Sequence, residues 1–267
     1  MNNFTKEDII TTNKFRDVFP DYFYKTDIIY RKKMMKCSNR MIRPPKINQY
    51  LIISGNSDYP ITNDLVDYYR PQIWYAINNK TMRENVFSLP LGITNNTNES
   101  ILHPVYGNLD CMIQVMNEII TKKKLVYMNF NINTYYERRN VWELFKDKEW
   151  VTIGQITNTI EGRTQFLQQI KEHSFVLCPR GNGIDTHRLW ETLYMGSIPI
   201  VIYDSALVEF NDLPICFIDN WEMITKDFLE KELERFHKIN WSLDKLKIDY
   251  WINKIKSHLF YKTNNFI

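Results

Sequence analysis

The stretch from Phe175 to Val201 holds the residues best suited to chemistry: two arginines, a carboxylate and a glycine-rich turn between an apolar run and a helix. Phe175 to Cys178 reads as a strand, and Pro179, Gly181 and Gly183 force a turn. Thr186 reads as a helix N-cap and Gly196 as the residue just past the helix end. In an open parallel sheet, ligands lie beyond the carboxyl ends of the strands. The Pro179 to Asp185 turn occupies such an end. Its Gly181-Asn182-Gly183 run lets backbone N–H groups approach a phosphate, and the helix N-terminus that follows adds positive potential. Arg180 and Arg188 are fork-shaped cationic donors suited to a diphosphate. Arg188 and Glu191 are three apart and share a helix face. The arginine can hold phosphate while the carboxylate accepts from ribose hydroxyls. The same residues also suit a solvated turn followed by a surface ion pair. No Gly-Lys-Ser/Thr follows, so the segment is not a Walker A loop, and the third glycine of the dinucleotide fingerprint is missing.

Short apolar runs alternating with stretches of helical period must position that turn. Strands are expected at 27–30, 49–54, 72–76 and 86–89, with helices at 63–69 and 110–121 and a long polar loop at 92–108. The second half reads strand 125–129, helix 134–146, strand 150–153, helix 160–172, strand 175–178, helix 186–195, and strands 198–203 and 215–218. Helices at 226–238 and 242–257 close the chain. Such alternation implies βαβ units and parallel sheets. The expectation is an α/β protein of two Rossmann-like domains, residues 1–122 and 123–267, with the last helix packing back on the first. Lys122 to Lys124 reads as a solvated linker between them.

The chain has 267 residues, of which 44% are apolar and 24% charged, so it is not a disordered chain. Lysine plus arginine is 34 against 31 acidic residues, and a net charge of +3 is too small for a nucleic-acid coat. Cys37, Cys111, Cys178 and Cys216 are widely spaced with apolar neighbours and no C-x-x-C, which reads as buried, reduced thiols. The N-terminus lacks a signal-peptide pattern, and no run approaches the roughly 18 apolar residues of a membrane helix. The expected location is therefore cytoplasmic, with no integral membrane segment.

The run from Pro179 to Val201 resembles the nucleotide-sugar motif of exostosin-like glycosyltransferases, family 47 and its relatives, in particular the short forms of large DNA viruses and microbial eukaryotes. Weaker similarity reaches 54–60, 89–93 and 133–139. The resemblance implies a GT-B-like fold, two Rossmann-like domains whose parallel sheets face a cleft, with the donor in the second. It implies inverting transfer from a nucleotide-diphosphate sugar, UDP by family habit, to a hydroxyl of a glycan or glycoprotein acceptor. It implies no obligatory metal or other cofactor, and the chain has no Asp-x-Asp motif. The viral resemblance would place the protein in an infected host cell. Arg180, Arg188 and Glu191 become donor-binding residues and Arg138 a second phosphate contact, with Asp185 and His187 beside them on sugar or phosphate. Asp185 suits a helix N-cap equally well.

An inverting transfer needs a base near the acceptor hydroxyl. Asp58 is the first candidate, although its loop equally suits a solvated turn aspartate. His103 in the long loop is the alternative. Asp64 reads as a first-turn carboxylate. Trp74 and Tyr75 lie in an apolar run and read as core; Tyr106 is a candidate for stacking on a sugar. A non-catalytic nucleotide-sugar or glycan binder with the same fold is the competing function, and a nucleic-acid binder is the weakest.

Overall fold

The structure is a computed structural model that describes residues 4–27, 29 and 45–264. Its first half contains α1 (Lys14–Val18), β1 (Phe23–Lys25), β2 (Leu51–Gly55), α2 (Asn63–Tyr69), β3 (Ile73–Ala76), β4 (Val86–Ser88), α3 (His103–Tyr106) and α4 (Leu109–Asn117). The second half contains β5 (Lys124–Met128), α5 (Glu137–Phe145), β6 (Val151–Ile153), α6 (Ile160–Glu172), β7 (His173–Leu177), α7 (His187–Tyr194), β8 (Ile198–Ile202), β9 (Cys216–Ile218), α8 (Lys226–His237) and α9 (Ile248–Asn264).

The strands form two sheets, β1-β2-β3-β4 and β6-β5-β7-β8-β9, and every pairing is parallel. The α/β architecture expected from the sequence is present, with two parallel sheets whose strand ends meet at a cleft. All five residues of β2 and of β7 are buried. That suits central strands covered by helices on both faces, which read as unbroken apolar runs. In the second sheet the chain leaves β5 toward β6 on one side, while β7 leads on to β8 on the other. The crevice beyond β5 and β7 is therefore a topological switch point, where open α/β sheets bind ligands.

One apolar cluster spans both sheets. It joins Leu51, Ile53 and Tyr75 to Tyr127, Val176 and Trp190, and takes in Trp251 and Ile255 of α9. Helix α9 lies against the first sheet, where the Tyr50 hydroxyl donates to the His258 carbonyl at 2.7 Å and the Tyr75 hydroxyl meets His258 Nδ1 at 2.8 Å. Trp74 and Tyr75 are fully buried, as the core reading requires.

Three expectations are corrected. Residues 122–124 are exposed, as a solvated stretch would be, but they are not a free linker: Lys124 opens β5, and the Lys122 ammonium donates to the Lys171 and His173 carbonyls and to Ser197 Oγ. Desolvation of the ammonium head by those acceptors pulls Lys122 down to about 8, with the Lys171 charge adding to the shift. The loop at 92–108 contains α3, and α1 and β1 carry too few residues for periodicity to reveal. The strand expected at 27–30 falls partly outside the described residues, and the first sheet's edge is β1 instead. Cys111, Cys178 and Cys216 are free and buried, while Cys37 lies outside the described residues. Among the described residues no helix is long and apolar enough to cross a membrane.

Candidate active site

Two adjoining cavities occupy the cleft. The smaller, about 320 Å³, lies at the carboxyl ends of β5, β6 and β7 and is lined by Asn129 to Asn131, Gln155 to Asn158 and Pro179. The larger, about 680 Å³, lies between the two sheets and is lined on the first-sheet side by Asn56, Asp58, Asn78 and Asn95. Tyr106, Arg138, Arg188 and Glu191 belong to both.

The turn between β7 and α7 is held by bonds to its backbone. Asn78, just past β3, has φ +59° and accepts at its side-chain oxygen from the N–H groups of Ile184 (3.1 Å) and Asp185 (2.8 Å). Asp185 reciprocates across the cleft, accepting from the Leu91 N–H at 2.8 Å, while its other oxygen takes the Trp190 indole N–H at 2.7 Å. Burial pushes Asp185 up to about 7, against the pull of these donors. Thr186 does sit at the N-cap, without a side-chain capping bond. Gly183 allows the close approach of the first half, because a Cβ there would stand 3.1 Å from Asn78 Nδ2 and 3.2 Å from Asp58 Oδ1.

Beneath the turn lies a buried charge cluster. Glu191, 4% exposed, accepts from Arg163 Nη1 at 2.7 Å and from Arg188 Nε at 3.3 Å. Burial raises the Glu191 carboxyl, but the two guanidinium groups outweigh it and hold the acid below its ordinary range. Arg188 also donates to the Asn129 carbonyl and lies 4.4 Å over the Phe166 ring. Arg138 donates to the Arg180, Pro179 and Asn131 carbonyls, and burial beside Arg188 lowers it to about 10. The charged groups lining the smaller cavity are three arginines and one carboxylate, an excess of two positive charges that complements a diphosphate diester.

Of the sequence-predicted residues, Asp58, His103, Arg138, Gly181, Asn182, Gly183, Asp185, His187, Arg188 and Glu191 all line the larger cavity. Arg180 lines neither cavity; its guanidinium lies 4.4 Å over Tyr135 and bonds the Gly181 and Asn182 carbonyls. His103 Nδ1 meets Thr97 Oγ1 at 2.9 Å. Tyr106, hydroxyl bonded to Asn158, forms part of the shared wall. Sequence reasoning misses Arg163, which is 1% exposed and whose Nε and Nη2 have no hydrogen-bond partner among the described residues. The available signal is its place on the apolar stripe of α6, in line with Leu167 and Ile170. It also misses Asn78, whose role depends on the opposite half of the chain. Among the described residues no group of three His, Cys, Asp or Glu side chains could hold a metal ion.

No protein-family model matches the chain. The chain is 20% identical over 117 residues to a probable glycosyltransferase of Arabidopsis thaliana, a match covering 43% of this chain and 23% of that protein. It thus spans less than a quarter of that relative's length. A crystal structure of an α1,3-fucosyltransferase is similar with a TM-score of 0.38 and 12% identity, over 92% of this chain and 84% of that one.

Proposed function

We propose that the protein is an inverting, metal-independent glycosyltransferase that moves a sugar from a nucleotide-diphosphate sugar, a UDP-sugar first among them, to a hydroxyl of a glycan acceptor. The observation that carries this reading is the pairing of Arg138 and Arg188 at the wall shared by two cavities, beyond the switch point of a parallel sheet. The similarity to a plant probable glycosyltransferase supports it.

In this reading the nucleoside enters the smaller cavity and the diphosphate lies along the shared wall. The acceptor comes to the larger cavity, facing Asp58 and His103. When the bond from the anomeric carbon to the diphosphate breaks, negative charge develops on the leaving oxygen. Arg138, Arg188 and the α7 N-terminus supply fixed positive charge there, in a crevice where it need not reorganise. Glu191 and Arg163 keep Arg188 aimed at that position.

A thermal-shift series with UDP, GDP, ADP and CDP, followed by transfer assays from the corresponding sugars with and without a chelator, tests the proposal. A ligand that binds only the native state raises Tm, by about 2.7 kcal/mol of stabilisation at a hundredfold excess over Kd. The expected result is a rise with one nucleoside diphosphate and chelator-insensitive transfer from its sugar. A Tm indifferent to all four overturns the reading.

A further inference from the structure

Helix α7 opens with a histidine whose two ring nitrogens have separate fates. His187 is its first residue and lines the larger cavity. Nδ1 lies 2.8 Å from the Gly92 carbonyl oxygen. A carbonyl only accepts, so Nδ1 carries a proton, and in the neutral ring the lone pair sits on Nε2. The Gly92 carbonyl is itself fixed. Gly92 has φ +68°, a Cβ there would stand 2.3 Å from the Ile10 carbonyl oxygen, and the next N–H, that of Ile93, donates to the same oxygen at 2.9 Å. The first half of the chain thus sets the tautomer of a ring carried by the second.

We propose that His187 is the general base of the transfer, a step that rests on the glycosyltransferase reading above. Nε2 takes the proton of the acceptor hydroxyl as its oxygen forms a bond to the anomeric carbon. The bond from that carbon to the diphosphate breaks, and the electron pair leaves on the diphosphate oxygen beside Arg138 and Arg188. The imidazolium keeps its Nδ1–H on Gly92 and returns its proton to water once product departs.

The rival candidates are less suited. Asp58 is exposed in the loop after β2, open to the solvent that competes for its carboxylate oxygens. His103 meets a threonine hydroxyl, which can donate or accept and so does not fix a tautomer. The charged groups around His187 are Asp58 from the first half, Arg163 from α6, Glu191 and Arg188 from its own helix, and Asp185 from the turn. Burial lowers the imidazole below its ordinary 6.5; the Gly92 bond, Glu191 and Asp58 act to raise it, and Arg163 to lower it. A ring shifted downward is neutral at pH 7, the state a base requires.

The test compares H187Q with D58N and the unmodified protein. Glutamine places an amide where Nε2 stands but has no basic nitrogen. Calorimetry with the nucleoside diphosphate selected by the thermal-shift series should give the same Kd for H187Q as for the unmodified protein, while transfer falls at least about 100-fold. The kcat of the unmodified protein should fall with pH through a midpoint below 6.5. That acid limb should persist in D58N and vanish from the residual rate of H187Q. Transfer by H187Q at the full rate, or an acid limb that survives in it, overturns the assignment while leaving the glycosyltransferase reading intact. Should circular dichroism show H187Q unfolded, the pH profiles of the other two proteins decide: no limb in the unmodified protein, or its loss in D58N, overturns the assignment. Failure of the unmodified protein to bind any nucleoside diphosphate removes the underlying reading, and this one with it.

Discussion

The two walls of the cleft are built on different principles. The second-sheet wall concentrates charge: Arg163 and Arg188 pair with the buried Glu191, and Arg138 and Arg188 donate to backbone carbonyls beside it. The first-sheet wall is largely amide. The Asn13 N–H donates to Asn95 Oδ1 at 2.8 Å and Asn56 Nδ2 to Asn13 Oδ1 at 2.7 Å, with Asn78 reaching across to the turn. A fixed charged surface suits a diphosphate whose charge grows in the transition state. Amides that both donate and accept suit hydroxyls. Under the proposed function, the difference assigns the donor to the charged half and the acceptor to the amide half, with the chemistry at their seam.

Removing the negative member of the charged wall should have the largest effect. Glu191→Gln keeps the shape but leaves Arg163 and Arg188 without their counter-charge, and breaking a buried pair in this way costs about 3–5 kcal/mol. Urea unfolding at neutral pH measures it. The sign with pH also follows. The Glu191 carboxyl is held below its ordinary value near 4.5, so its contribution is present above that value and lost as pH falls through the folded value. An E191Q protein as stable as its parent would mean that this wall is not organised by charge.

Arg188→Ala leaves the Arg163–Glu191 pair in place and so tests function more than fold. Loss of one transition-state donor should lower kcat by about 10²–10³, and the nucleotide-sugar transfer rate reads it. A variant that keeps its rate would move the diphosphate away from the shared wall.

The seam gives a smaller and oppositely signed signal. Asp185 is raised to about 7 in the folded protein from an ordinary value of 3.8. Between those values the native state binds more protons than the unfolded chain. The contribution of this group is therefore fully present below 3.8 and is lost as pH rises toward 7. Asp185→Asn should flatten that slope. It should also cost about 1–3 kcal/mol, because an amide cannot accept from both Leu91 and Trp190. Stability measured at intervals from pH 4 to 7.5 separates the two effects.

The smallest effect is expected at the rim, where Lys80 meets Asp204 of the second half at 2.8 Å with both side chains partly exposed. Lys80→Ala should change stability by no more than about 1 kcal/mol, and by less at high salt. A larger change would show that surface charge, and not the buried seam, holds the walls in register.

The charged wall was far more legible than the neutral one. The turn after β7 and the helix carrying Arg188 and Glu191 are contiguous in sequence, so turn chemistry, capping and helical spacing mark them together. Even there, the Arg188–Glu191 pair had the look of a surface contact, and only its burial shows that it is the centre of a cluster. The amide wall draws on Asn13, Asn56, Asn78 and Asn95, asparagines in four separate loops that no local pattern distinguishes from ordinary turn residues.

Local patterns were enough to establish the alternating strands and helices, the parallel sheets they imply, and a basic turn at a strand's carboxyl end. Each depends on residues within a few positions of one another, where backbone sterics and period act directly. Folding alone brought Arg163 to Glu191 from 28 positions away, Asn78 to Asp185 from 107 and Gly92 to His187 from 95. Contacts over such separations arise when the core closes the intervening chain, and the residues that make them carry no mark of it until that closure occurs.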